Sequence, residues 1–135
     1  MEFSEETHNN LPKKRPLSPH LTIYKPQISS ILSIGHRLSG IGLFVTLSAL
    51  IWWFILWVFN KFDPDYLDIF ESNIVIGILV LVSYAFFYHL CTGIRHLFWD
   101  IGKGFSICCV HYTGWIAIIM SILLTAVFWL YVGVF

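Results

Sequence analysis

The sequence predicts an all-α membrane protein of three transmembrane helices, with its N-terminus inside and its C-terminus outside. Three observations lead there. The 135 residues are 57% hydrophobic and only 12% charged, against about 25% charge in a soluble domain. No Asp, Glu, Lys or Arg interrupts residues 38–60, 72–94 or 104–135, runs of 23, 23 and 32 residues. Roughly 20 apolar residues are enough to cross a bilayer as a helix. Basic residues also divide unevenly around these runs. Lys13, Lys14, Arg15, Lys25 and Arg37 precede the first, Lys61 stands alone in the first connection, Arg95 and Lys103 flank the second, and none follows. Such an excess marks the inner face of the membrane.

Each element follows from local signals. Residues 1–29 form an extended tail on the inner side, polar and punctuated by Pro12, Pro16, Pro19 and Pro26. Its acidic Glu2, Glu5 and Glu6, and the lack of an apolar core, fit neither a secretory signal nor an imported transit peptide. The three-helix anchor spans residues 30–135. Helix one is expected over about residues 30–59, helix two over 71–100 and helix three over 106–134. Asp63-Pro64-Asp65 turns the chain between the first two, and Gly102-Lys103-Gly104 between the second and third. That Gly-Lys pair lacks the upstream glycine and following Ser/Thr of a phosphate loop. Trp52, Trp53, Trp57 and Trp129 gather toward the outer surface and Trp99 toward the inner, as interfacial belts do.

Much of the functional menu is excluded. Zero net charge and the absence of a basic face speak against nucleic acid. The residues outside the three runs are too few and scattered for a soluble catalytic domain. Cys91, Cys108 and Cys109 fall in or beside the spans and read as reduced, packing cysteines.

Ionisable groups inside a membrane are costly and usually functional. His89 lies eleven residues before Asp100, roughly 16 Å from the inner boundary and close to mid-bilayer. No acidic residue sits at that depth, which weakens a proton-coupled transporter. A histidine there can be a packed hydrogen-bonding residue, a proton relay or a ligand to a metal such as haem iron. His96 follows two turns on, flanked by Arg95, while Gly93 lies one turn from His89. The set fits a haem slot with propionates pointing inward, and equally a snorkelling cation at a helix end. Helix one offers Ser33, His36 and Arg37, which read either as inner-face anchors or as donors to the carbonyl oxygens of a quinone. His36 and His111 are expected near the inner mouths of their helices, too far down to reach an iron bound by His89. A second axial ligand would then come from another membrane subunit.

Three stretches carry a resemblance. RPLSPHLTIYKP at residues 15–26, SILSIGHRLSG at 30–40 and YHLCTGIRHLFWD at 88–100 resemble the cytochrome b membrane-anchor subunit of succinate dehydrogenase (complex II). The resemblance implies that His89 is the axial ligand of one haem b, shared with a second anchor subunit. It implies that Ser33 and Arg37 belong to the ubiquinone site, and that His36, Arg95 and His96 lie around the haem propionates. Asp100 is then set either to fix Arg95 or to stand as a solvated helix-end charge. The implied partners are the second anchor subunit, an iron–sulfur subunit and a flavoprotein subunit that oxidises succinate. A different class of reading is a cofactor-free tether or assembly subunit of the same architecture. The expected location is a bacterial inner membrane, or a mitochondrial one if the chain is encoded there.

Overall fold

The computed structural model describes residues 25–59 and 72–133. They form three helices, α1 (Ile28–Val58), α2 (Asn73–Asp100) and α3 (Ile107–Val132). All three are long and apolar enough to cross a membrane. Their 31, 28 and 26 residues correspond to about 46, 42 and 39 Å at helical rise, beyond the hydrocarbon thickness of a bilayer. Each boundary falls within two residues of the sequence expectation. Residues 1–24 of the expected N-terminal tail, with the basic triplet, His8 and His20, and the Asp63-Pro64-Asp65 turn, lie outside the described residues, whereas its last two residues, 28 and 29, begin α1.

The α2–α3 connection shows why glycine stands where it does. Gly102 adopts a left-handed φ of 76°, which lets its own N–H reach the Trp99 carbonyl at 2.8 Å. The Lys103 N–H then reaches the Phe98 carbonyl at 3.0 Å. These paired bonds close the end of α2 by satisfying carbonyls that a helix terminus leaves open. Three residues later the Ser106 side chain accepts from the Cys109 N–H at 3.3 Å and caps the start of α3.

α2 is the central helix and packs on both neighbours. Toward α3 it meets Gly114, Ala117, Ser121, Thr125 and Trp129, all buried. These residues recur every three or four positions and make a narrow stripe of mostly small side chains. The Ser121 and Thr125 hydroxyls donate to carbonyls of their own helix, both at 2.7 Å, so neither is left open in the interface. α1 and α3 meet where Leu32 and Ile28 lie over Gly114; a Cβ there would stand 2.9 Å from Leu32 Cδ1. Trp129 departs from expectation. It sits near the end of α3 as an interfacial residue would, but it packs inward and is only 6% exposed. It closes the α3 stripe where smaller residues would leave a gap. Trp52 and Trp57 do face outward.

Candidate functional site

The sequence places Tyr88, His89 and Thr92 on α2 opposite Leu32, Gly35, His36, Ser39 and Gly40 on α1. Glycine at two of these positions lets rings lie directly against the α1 backbone. A Cβ on Gly35 would meet Tyr88 Oη, and one on Gly40 would stand 2.9 Å from His89 Cε1. The Tyr88 hydroxyl donates to the Leu32 carbonyl at 3.3 Å.

His36 and His89 stack, with ring centroids 3.9 Å apart and planes 11° from parallel. This corrects the expectation that His36 lies too far toward the helix mouth to approach His89. α1 begins at Ile28, two residues before its expected start, and His89 lies eleven residues before the end of α2 at Asp100. His36 is therefore eight residues, or about 12 Å, inside α1. His111 stays on the first turn of α3 and is exposed.

The hydrogen bonds fix what the two rings offer. His89 Nδ1 lies 3.0 Å from the His36 carbonyl oxygen, and a carbonyl only accepts, so Nδ1 carries the proton. The Nε2 lone pair is then the free end of the ring. This is the arrangement in which a histidine ligates a metal through one nitrogen while the other donates to a backbone carbonyl. His36 Nδ1 is 2.8 Å from Thr92 Oγ1. That hydroxyl donates back to the Tyr88 carbonyl at 2.6 Å, so His36 Nδ1 is the donor to it and its Nε2 is left as acceptor. His96 completes the group, its ring centroid 5.0 Å from that of His36. Gly93 faces His36 Cε1 at 3.5 Å from a notional Cβ.

Ser33 and Arg37 share a face one turn apart on α1, on the flank beside His36. Arg37 is exposed and Ser33 half-buried. Ser39, Thr46, Ser48 and Ser83 each donate to a carbonyl of their own helix. Ser33 has no such partner among the described residues, so its hydroxyl and the Arg37 guanidinium are available together to an outside acceptor.

Arg95 is not brought to the histidines. It stands about 100° round α2 from His96 and is 5% exposed. Its Nε donates to Thr113 Oγ1 at 3.2 Å and its Nη2 to the Val110 carbonyl at 3.1 Å. The guanidinium carbon lies 4.0 Å from the centre of the Trp99 ring, a cation–π contact. Asp100 is not among its partners. Thr92, fully buried at the centre of the network, and Ser39 were not singled out as site residues from the sequence; a hydroxyl one turn from a mid-membrane histidine is the signal that marks both.

Over residues 12–128 the chain matches the family described as succinate dehydrogenase/fumarate reductase transmembrane subunit. The chain belongs to that family. It is 56% identical over 124 residues to the succinate dehydrogenase cytochrome b556 subunit of Rickettsia conorii, covering 92% of this chain and 98% of that protein. With the b556 subunit of Rickettsia typhi it shares 59% identity over 116 residues, 86% and 91% of the two chains. A more distant relative, the cytochrome b560 subunit of Reclinomonas americana, is 38% identical over 129 residues, 90% of this chain and 88% of its own. The matched region holds all the site residues, so the succinate dehydrogenase/fumarate reductase transmembrane subunit is the frame in which His89, Ser33 and Arg37 are read.

Proposed function

We propose that this chain is a membrane-anchor and electron-transfer subunit of a succinate:ubiquinone oxidoreductase. It holds one haem b together with a second anchor subunit and forms part of the ubiquinone-reduction site. It sits in a bacterial inner membrane with its N-terminus inside, and the tail over residues 1–29 docks the iron–sulfur and flavoprotein subunits on that face.

The observation that carries this reading is the His89 ring. Its Nδ1–H is tied to the His36 carbonyl at 3.0 Å, leaving Nε2 as a lone-pair donor deep in an apolar helix pair. That donor set fits a b-type haem, and the cytochrome b556 and b560 names of the relatives agree with it. When bound, haem supplies a one-electron relay within the membrane. His89 would supply one axial nitrogen; His96 lies on the same side as a candidate to hold a propionate, and His36 would do so when its Nε2, an acceptor in the neutral ring, is protonated. Arg95 joins α2 to α3 through Nε and Nη2, and its buried Nη1, without a partner among the described residues, keeps it a candidate to hold a propionate as well.

Ser33 and Arg37 are the quinone-side residues. Quinone is lipid-soluble and gains negative charge on its oxygens as it is reduced. A hydroxyl and a guanidinium on one face favour that charge over the neutral ground state. Arg37 acts as an electrostatic stabiliser, because a guanidinium does not readily give up its proton.

The test is a dithionite-reduced minus oxidised visible spectrum of the complex purified through this chain from its native membrane. A sharp b-type α-band in stoichiometric amount is expected, and His89→Ala should abolish or shift it. A colourless complex that still contained its partner chains would reduce this chain to a tether.

A further inference from the structure

We propose that Ser39 is a positioning residue for the His89 imidazole, and that Gly40 keeps open the space the ring occupies. The inference rests on the reading of His89 as an axial ligand and adds to it the group that sets the ring's direction and electron density.

Ser39 Oγ donates to the His36 carbonyl at 2.8 Å and lies 3.1 Å from His89 Nδ1. A serine has one hydroxyl proton, and here it is directed to the carbonyl. Its lone pair therefore accepts from the same Nδ1–H that the carbonyl accepts from. The ring N–H is shared between two oxygens, one from the backbone and one from a side chain. Other hydroxyls of α1 and α2, on Thr46, Ser48 and Ser83, bond the carbonyl four residues back and meet no second helix. Ser39 bonds three residues back, which brings its oxygen to the carbonyl that also holds His89. The next residue, Gly40, faces the ring edge: a Cβ there would lie 2.9 Å from Cε1, 3.5 Å from Nδ1 and 3.8 Å from Nε2. Any larger residue would push the imidazole away from its two acceptors.

Accepting oxygens on the N–H make the opposite nitrogen more basic and fix the ring plane. A more basic ligand favours ferric over ferrous iron. Losing the Ser39 oxygen should therefore raise the midpoint potential, by up to about 59 mV if the one-electron equilibrium changes tenfold. Gly40→Ala should lower haem occupancy.

The experiment compares Ser39→Ala, Ser39→Val and Ser39→Thr in the assembled complex, by redox titration and low-temperature EPR of native membranes. Ala and Val should raise the midpoint and move the low-spin g values, while Thr, which keeps the hydroxyl in the shape of Val, should match the unsubstituted chain. The proposal is overturned if Ala and Val give an unchanged midpoint and EPR signal. It is equally overturned if Thr shifts as far as Val, because packing alone would then account for the change. If Ser39→Ala does not accumulate, the Thr–Val pair decides. His89→Ala run alongside separates the layers: a retained low-spin signal there would remove the axial-ligand reading itself.

Discussion

At His89 a single proton decides what the residue can do. The His36 carbonyl at 3.0 Å holds that proton on Nδ1 and leaves the Nε2 lone pair open, as the proposed axial ligation requires. Ser33 and Arg37 make no comparable bonds among the described residues, as the proposed quinone-side role would require. Arg37→Ala should lower quinone reduction on the order of 100-fold, the usual cost of losing a charged stabiliser. Succinate oxidation with an artificial acceptor should persist in the same preparation; equal loss of both activities would mean failed assembly instead. Ser33→Ala should lower kcat/KM for quinone about tenfold, the effect of one hydrogen bond to a charged group, as steady-state kinetics would show. Arg95 calls for a different prediction. Its Nε and Nη2 end on Thr113 and Val110, its Nη1 is buried without a partner among the described residues, and Thr113 Oγ1 keeps its own bond to the Cys109 carbonyl at 2.7 Å. Arg95→Met should leave thermal stability nearly unchanged, because an apolar chain of similar length replaces a buried charge. Arg95→Ala should cost about 2–4 kcal/mol through the cavity it leaves. An altered haem spectrum in Arg95→Met would place Arg95 at the propionates. Depth in the membrane singles out His89 in the sequence, whereas spacing leaves Ser33 and Arg37 as either inner-face anchors or quinone donors, and only the resemblance assigns them to the quinone site. The sequence could not show that Arg95, adjacent to His96 in the chain, faces another helix, because neighbours on a helix point about 100° apart.

The helices themselves were the most legible part, since gaps in charge mark spans directly. Which faces meet was less so. α3 is apolar all round, and its buried stripe of Gly114, Ala117, Ser121, Thr125 and Trp129 is a pattern of size rather than hydrophobicity. The depth of His36 was less legible for a related reason: distance along one helix does not say how its end sits against its neighbour's, and His36, eight residues into α1, meets His89, eleven residues from the end of α2. Glycines on α1 control how α1 and α2 approach. A Cβ on Gly35 would stand 2.5 Å from Tyr88 Oη and 3.1 Å from Cζ, atoms at the end of a rigid ring. Gly35→Ala should therefore destabilise the α1–α2 pair by about 1–3 kcal/mol. Adding Tyr88→Phe should recover part of that loss, because it removes the nearer atom. Thermal unfolding of the purified complex measures both, and an unaffected single variant would show that the helices separate at little cost.

Three helices of this length leave most of their surface to lipid or to other chains. Only Leu32, Ala117 and Trp129 form a buried hydrophobic core among the described residues, while Leu38, Ile41 and Phe44 on α1 are each more than 60% exposed. The histidine geometry makes the same demand for a partner in sharper form. Two axial ligands of one iron face each other across the macrocycle. His36 and His89 instead lie flat on one another at 3.9 Å, with no room for a ring between their nitrogens, and His36 Nδ1 is already bonded to Thr92. In this arrangement His36 is not placed to be the second axial ligand that the proposed haem site would need, so the proposal calls for one from outside this chain. The chain produced in membranes without the second anchor subunit should carry no bis-histidine low-spin EPR signal. It should bind haem weakly and in a high-spin form, or not at all. Restoring the second subunit should restore the low-spin signal in proportion to the complex formed. A full low-spin signal from this chain alone would mean that the two histidines separate and rotate to face each other, and shared ligation would be wrong.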